Sequence, residues 1–523
     1  MQLKLEDLTL EQKLGMVLCA RRCTDPEDFK YTLELIKNHA VACIQVPISN
    51  RSDEFIKAIR EAADYPVLII NDMEAGYQKS SYPQIPALTL AATGNPEYAK
   101  SFAKGIVSSA KKDGFDGIWG PIEDIHQENA PCSVSRIYGD SPERVLRMTT
   151  AINEVFKENG FIGAGKHYPG GRGLPFDTHM TESLSYSTEE ELLNFSLVPY
   201  LKLMEKGLLP AVMTSHTTYV NIDPEYPATL SKKILNILRS RGFDGVFFTD
   251  SLAMMAILQK YGEENIMGIC IDAGIDIVLP NYRTSTKRCL EMLTQNFRDG
   301  MFTEERLNDA VRHILNLMKF SEENKAIVPV MTEQDVENLN LVARDCITAV
   351  TEKGVPASLH DKNKSRLFVV ITDMGFNPQG PEMEITSTKW FDAKRITNKI
   401  KEEFPNSEVV YLPEFATASQ NEQVLLAATK HNEIVFITHC DTAAYLGTDC
   451  LTRRAESLIN ALILSGKVEA VLHYGNPHAV EPLMHVKRVI FGYSSPASLP
   501  YGIEVLSGKL EAKGTLPIKV ALQ

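Results

Sequence analysis

"GAGKHYPGGRGLPFDTHM", Gly163 to Met180, begins inside a short apolar run (161–168) and leaves it through a loop. Between Lys166-His167 and Asp177-Thr178-His179 the chain is mostly glycine and proline, a composition that suits neither helix nor strand interior. The pattern of apolar run, ionisable end and following helical stretch recurs along the first three hundred residues. Further runs occupy 14–19, 41–47, 66–71, 116–123, 209–216, 244–250 and 275–280. Between them lie amphipathic stretches such as "NPEYAKSFAKGIVSSAKKDG" and "SPERVLRMTTAINEVFKENG", opening on a capping residue or an early proline and closing on glycine. Runs that are apolar throughout, rather than alternating, are strands covered on both faces, as in parallel sheets. Eight such units in a row favour an α/β fold of the (β/α)8 TIM-like barrel type. An open doubly wound sheet is the competing arrangement, and the count of eight is what disfavours it.

The stretch "SEENKAIVPVMTEQDVEN" (321–338) is polar and carries a proline, and beyond it the rhythm restarts. Runs at 366–372, 408–412, 433–438, 468–473 and 487–491 predict a second, smaller α/β sandwich domain. We therefore expect a catalytic barrel over 1–335, a linker helix over 336–354 and a C-terminal α/β domain over 355–523.

Composition narrows the function. The 523 residues carry a formal net charge of −13, with 44% hydrophobic and 23% charged residues. No Lys/Arg cluster could track a phosphate backbone, which disfavours nucleic acid as a partner. No run reaches membrane-spanning length, and "MQLKLEDLTLEQKLGMVLCA" is too charged for a signal peptide. The nine cysteines show no CxxC pair, and they read as reduced core residues of a cytoplasmic protein.

In a βα barrel, catalytic groups sit where the C-terminal ends of the strands meet the following loops. Applying that rule here gathers Asp72 and Glu74 after the third run, and "GPIEDIHQENAP" leading to Arg136 after the fourth. The fifth run adds Lys166 and His167, the sixth Ser215 and His216, and the seventh Asp250. A strand-end aspartate often only caps the next helix, but five strands agreeing on one rim point to an enzyme. There is no P-loop and no cysteine in a basic setting. His167, His179 and His216 could ligate a metal in principle, but Lys166 beside His167 opposes a cation, so we expect neither metal nor cofactor. A strand-borne carboxylate with a separate proton donor suits retaining glycoside hydrolysis.

These residues also carry a resemblance. "GKHYPGGRGLPFDTH" resembles the KH(F/Y)PG…D(S/T)H signature of glycoside hydrolase family 3, in its β-N-acetylglucosaminidase branch of two-domain type. "NDMEAG", "IPALTLAATGNPEYA", "SRIYGDSPERV", "VMTSHTTY…PATLS" and "FFTDSLAMMAI" are similar to other segments of that branch in order and spacing, and "GIEVLSGKLEAKGTLPIKV" to its closing segment. The resemblance implies Asp250 as nucleophile, His179 as general acid/base and Asp177 as its orienting partner. It also implies Asp72, Arg136, Lys166 and His167 as ligands of the terminal sugar, with His216 nearby. The reading is then a cytoplasmic, cofactor-independent exo-β-N-acetylglucosaminidase (a β-N-acetylhexosaminidase, acting on O-glycosyl bonds) for small soluble glycosides such as cell-wall recycling products.

The residues fit those roles. A carboxylate two positions away orients the His179 imidazole and stabilises its charged form, and the glycines and proline let the loop swing over a sugar, so we expect it open without ligand. The chain departs from the branch at Gly171-Arg172, at "DMEAGY", and at Ser80, where Lys79 is the available substitute for an arginine. Three alternatives stay open: a phosphorylase of the same family with Arg172 attracting phosphate, a β-glucosidase-like enzyme with Glu382 or Glu384 as acid, and a sugar-binding barrel without activity.

Overall fold

The computed structural model describes residues 2–127, 134–171, 176–372, 393–440 and 450–522. Contacts divide the chain into two units: 1–84, 96–130 and 137–337 form the first, and 85–95, 131–136 and 338–523 the second.

The first unit is built on seven parallel strands: β1 (Cys19–Ala20), β2 (Cys43–Gln45), β3 (Leu68–Asn71), β4 (Gly117–Ile122), β5 (Ile162–Tyr168), β7 (Ala211–Thr214) and β9 (Val246–Thr249). They are hydrogen-bonded in the order β1-β2-β3-β4-β5-β7-β9. Two isolated parallel bridges, Phe248 with Ile277 and Leu18 with Val278, join the last strand back to the first. Their bonds, Thr249 N–H to Ile277 O at 3.1 Å and Cys19 N–H to Val278 O at 2.9 Å, close the ring. The run 275–280 thus acts as the eighth strand although it is reduced to single bridges. Closure removes both sheet edges. Inside, Trp119 meets Phe248 edge-on, with ring centroids 6.4 Å apart.

The run 14–19 differs from the expectation of a strand. Thr9 and Gln12 form a capping box that starts a helix over Leu10–Met16, so the first half of the run, 14–16, lies on the buried face of that helix. Only its end, from Leu18, pairs in the sheet. Elsewhere the start signals hold: Asp25 caps Pro26–Lys37 and Ser141 caps Pro142–Glu158, each with proline in the first turn.

Helix ends at the lower rim, where the strands begin, are more than solvated charge. Asp276 is fully buried and takes hydrogen bonds from Arg239 at 2.5 Å, Arg306 at 2.6 Å and the Phe247 amide at 2.9 Å, with His313 at 3.1 Å. On the opposite side Asp116 pairs with Arg60 at 2.6 Å and accepts from the Ile69 amide at 2.7 Å. These two carboxylates tie strand starts to the surrounding helices.

A two-stranded parallel ribbon, β6 (Ser183–Ser185) with β8 (Thr217–Tyr219), lies after the glycine-rich loop and gathers the chain leaving it beside the end of β7.

The second unit holds six strands: β10 (Thr348–Thr351), β11 (Leu367–Thr372), β12 (Glu408–Pro413), β13 (Ile434–Cys440), β14 (Val468–Gly475) and β15 (Arg488–Phe491). Their order is β10-β15-β14-β13-β11-β12, parallel except for β10 against β15. Residues 336–354, expected as one linker helix, contain the end of a helix over Glu333–Asp345 and then β10. Four residues of "TAVT" are too few to show a period of their own beside a helix.

Burial alone would raise the Asp276 carboxyl, but Arg239, His313 and Arg306 outweigh it and hold it below the usual range. Its contribution to stability is therefore present above the unfolded value of about 3.9 and is lost as pH falls through the folded value. Asp276→Asn should cost about 3–5 kcal/mol at pH 7, read from urea midpoints, and the gap to the parent should narrow below about pH 4. Equal midpoints at pH 7 would contradict this account.

Candidate active site

Asp250 follows β9, and its amide donates to Thr214 O at 3.2 Å, which continues the sheet pairing to Asp250. Its side chain is 22% exposed, and Oδ2 lies 3.7 Å from His167 Nε2. Oδ1 accepts from the Ser251 amide at 2.7 Å. On its other side the His167 ring donates from Nδ1 to Asp124 Oδ2 at 2.8 Å, and the His167 amide donates to Asp124 Oδ1 at 3.0 Å. A carboxylate only accepts, so Nδ1 carries the proton and Nε2 faces Asp250. Lys166, 3% exposed, places its ammonium 2.6 Å from both Asp72 Oδ1 and Glu74 Oε1. Asp72 itself is held through its amide, which donates to Asn71 Oδ1 at 2.7 Å.

Burial would raise the Asp250 carboxyl, yet the charges of His167, His216 and Lys166, with the Ser251 amide, hold it well below the usual carboxylate range. The group is therefore ionised at neutral pH. Burial lowers His216 below the ordinary histidine value.

The end of the glycine-rich loop is docked. Asp177 Oδ1 accepts from His179 Nδ1 at 2.7 Å and from the His179 amide at 2.9 Å. The carbonyls of Thr178 and His179 accept from the amides of Ala256 (3.2 Å) and Met255 (3.3 Å), the first residues of the helix Met255–Tyr261 that follows the Asp250 segment. The loop was expected open or disordered without ligand; residues 172–175 lie outside the described residues, and its end is docked because the amides at that helix start need acceptors, which Thr178 and His179 supply. The His179 charge is close enough to oppose protonation of His216. At the loop's start Gly170 and Gly171 have φ of +83° and +82°. A Cβ on Gly170 would meet the Ser196 carbonyl at 2.7 Å, and one on Gly171 the Ser196 hydroxyl at 2.6 Å. Both positions therefore require glycine.

Asp72, Lys166, His167 and Asp250 thus converge on one rim, with the Asp177–His179 pair docked on the segment after Asp250. His216 was expected near the sugar, but its ring nitrogens are engaged by the protein: Nδ1 by Thr229 Oγ1 at 2.9 Å and Nε2 by Ser251 O at 3.0 Å. Arg136 ends the short 3-10 turn Val134–Arg136, which belongs to the second unit. Lys79 is turned to Asp53 and Asp113, at 2.6 and 3.3 Å, so it does not substitute for an arginine at the sugar. Arg172, Glu382 and Glu384 lie outside the described residues.

Two participants escaped the sequence. Asp124 stands in "GPIEDIH", where the pleat decides which carboxylate faces inward. Asp124 meets His167, whereas Glu123 turns outward to Asn153 at 3.3 Å. Burial pushes Glu123 up to about 8, so it is a neutral acid at pH 7. Arg21 follows β1, and placing the first strand at 14–19 left it outside the rim.

Among the described residues no group of three or more His, Cys, Asp or Glu is arranged to hold a metal ion. No helix among them is long and apolar enough to cross a membrane.

A parallel barrel with an ionised strand-end aspartate and a docked Asp–His pair defines a glycosidase-type enzyme. Residues 9–317 match the glycosyl hydrolase family 3 N-terminal domain, and the chain belongs to that family. It is 32% identical over 244 residues to a beta-hexosaminidase of Xanthomonas oryzae pv. oryzae, an alignment covering 43% of this chain and 70% of the relative. The structure of a family 3 beta-N-acetylglucosaminidase from a Paenibacillus strain superposes with a TM-score of 0.80 at 24% identity, covering 99% of this chain and all of the other. A beta-glucoside phosphorylase superposes with a TM-score of 0.81 at 22% identity, covering 98% of this chain and 94% of the other. At those identities the two structures attest the fold, a TIM barrel followed by an α/β sandwich.

If Lys166 is the charge that keeps Asp250 ionised in acid, Lys166→Met raises the Asp250 pKa. The acid limb of the kcat/KM profile should then move toward neutral pH, beyond any uniform loss of rate. An unshifted limb in an active Lys166→Met enzyme would show that the other neighbours suffice.

Proposed function

We propose that the chain is a retaining exo-β-N-acetylglucosaminidase acting on small soluble glycosides by double displacement. The observation that carries this reading is the pairing of an ionised Asp250 with an Asp177–His179 turn docked on its own loop. The beta-hexosaminidase relatives support N-acetylglucosamine as the sugar.

In the first step Asp250 attacks the anomeric carbon while the bond to the leaving oxygen breaks. His179, protonated on both nitrogens and held through Nδ1 by Asp177, gives its Nε2 proton to that oxygen. The sugar is then esterified to Asp250. In the second step the neutral Nε2 takes a proton from water, whose oxygen attacks the anomeric carbon and releases Asp250. Asp72, Lys166 and His167 would hold the hydroxyls of the terminal sugar. His167, fixed through Nδ1 by Asp124, turns its Nε2 edge toward the nucleophile. The Lys166 ammonium, shared between Asp72 and Glu74, fixes the acceptor oxygens that receive those hydroxyls.

Release of nitrophenol from the β-N-acetylglucosaminide and the β-glucoside, each with and without phosphate, tests the assignment. Phosphate-independent turnover of the first is expected. Dependence on phosphate, or preference for the glucoside, would overturn it. His179→Ala should lose about 10²–10⁴-fold on poor leaving groups and far less on activated aryl glycosides, where protonation is not needed. Equal losses on both would remove His179 from the first step. NMR of the first-formed sugar should show the β anomer, and an initial α anomer would mean single displacement.

A further inference from the structure

Ser251, the residue after Asp250, is held at every polar atom it has. Its amide donates to Asp250 Oδ1 at 2.7 Å. Its hydroxyl accepts from Arg21 Nη1 at 2.7 Å. Its carbonyl accepts from His216 Nε2 at 3.0 Å. A carbonyl only accepts, so Nε2 carries the proton, and Nδ1 lies 2.9 Å from the Thr229 hydroxyl, which itself donates to Ser215 O at 2.8 Å.

Arg21 is anchored as firmly as what it holds. Nη1 also donates to Pro280 O at 2.8 Å, and Nε donates to Gln45 Oε1 at 2.7 Å. The guanidinium therefore links the ends of β1, β2 and the eighth strand to the nucleophile segment, and His216 links the end of β7 to the same residue from the other side. A rigid planar fork suits this task, whereas a lysine ammonium cannot span three acceptors in fixed directions.

We propose that Arg21 and His216 are positioning residues that clamp Ser251 from two sides and so set the angle at which the Asp250 carboxylate meets the anomeric carbon. The proposal rests on the reading of Asp250 as nucleophile. Rotation of the Ser251 peptide would carry its amide away from Oδ1 and free the carboxylate to turn. Attack needs near-ideal alignment, and a displacement of about 1 Å can cost on the order of a hundredfold in rate. Arg21 and His216 hold Ser251 and also lie close enough to Asp250 to act on its charge, so their effects belong on the chemical step and not on sugar affinity.

Pre-steady-state release of dinitrophenol from the β-N-acetylglucosaminide isolates that step, since the leaving group needs little acid help. Arg21→Met and Ser251→Ala should each slow the burst by about 10- to 100-fold, with inhibition by free N-acetylglucosamine changed less than about threefold. Because Arg21 positions Asp250 through the Ser251 hydroxyl, the double variant should lose less than the product of the two single losses. Arg21→Lys should recover little. His216→Gln, which retains a donor for Ser251 O, should exceed His216→Phe. Losses that multiply in the double variant, or weakened sugar inhibition that accounts for the whole effect, would overturn the clamp. Should Arg21→Met fail to fold, Ser251→Ala decides alone, and an unchanged burst refutes the proposal. Asp250→Ala separates the two ideas: a burst that survives in it removes the nucleophile assignment whatever Arg21 does.

Discussion

A carboxylate has to stay charged at the buried end of a strand, and most of the upper rim follows from that requirement. Asp250 sits among side chains that screen it from bulk water, so burial pushes against its charge. The Lys166 ammonium, the His167 ring and the Ser251 amide together outweigh that cost. Each of these is itself fixed by a partner: Lys166 by Asp72 and Glu74, His167 by Asp124, and Ser251 by Arg21 and His216. Charges thus alternate around the rim, and no member is left to find its own position when a sugar enters.

The lower rim uses the same physics for a different end. Asp276 and Asp116 are buried carboxylates compensated by arginines, and they accept from the Phe247 and Ile69 amides at the strand starts. There the compensated charge joins strands to helices and leaves no edge toward a ligand. The difference between the rims lies in access: at the lower rim Asp276 is fully buried, whereas at the upper rim Asp72 is 54% exposed beside a buried lysine. That access is what the proposed role of Asp72 in holding a sugar hydroxyl requires.

Much of this was legible in the sequence, and the exceptions have physical reasons. Continuous apolar runs marked the parallel strands because both faces are covered, and the strand-end rule then found Asp72, Lys166, His167 and Asp250. The first run misled because helix Leu10–Met16 buries the same residue types that a strand would, and that error hid Arg21. Asp124 was hidden by the pleat, since only the fold tells which of two adjacent carboxylates faces inward. His216 was found at the right rim, and both of its ring nitrogens are engaged by the protein, which spacing does not reveal. The strand at Thr348–Thr351 was lost to its brevity.

The central claim is that Asp250 forms a covalent bond to the sugar. A 2-deoxy-2-fluoro glycoside with an activated leaving group slows the second step more than the first, so the intermediate accumulates and its peptide can be identified by mass spectrometry after proteolysis. The account predicts one added fluorosugar on the peptide containing Asp250, absent in Asp250→Ala. A label on another carboxylate, or turnover of a natural substrate with inversion and no labelled peptide at all, would contradict it.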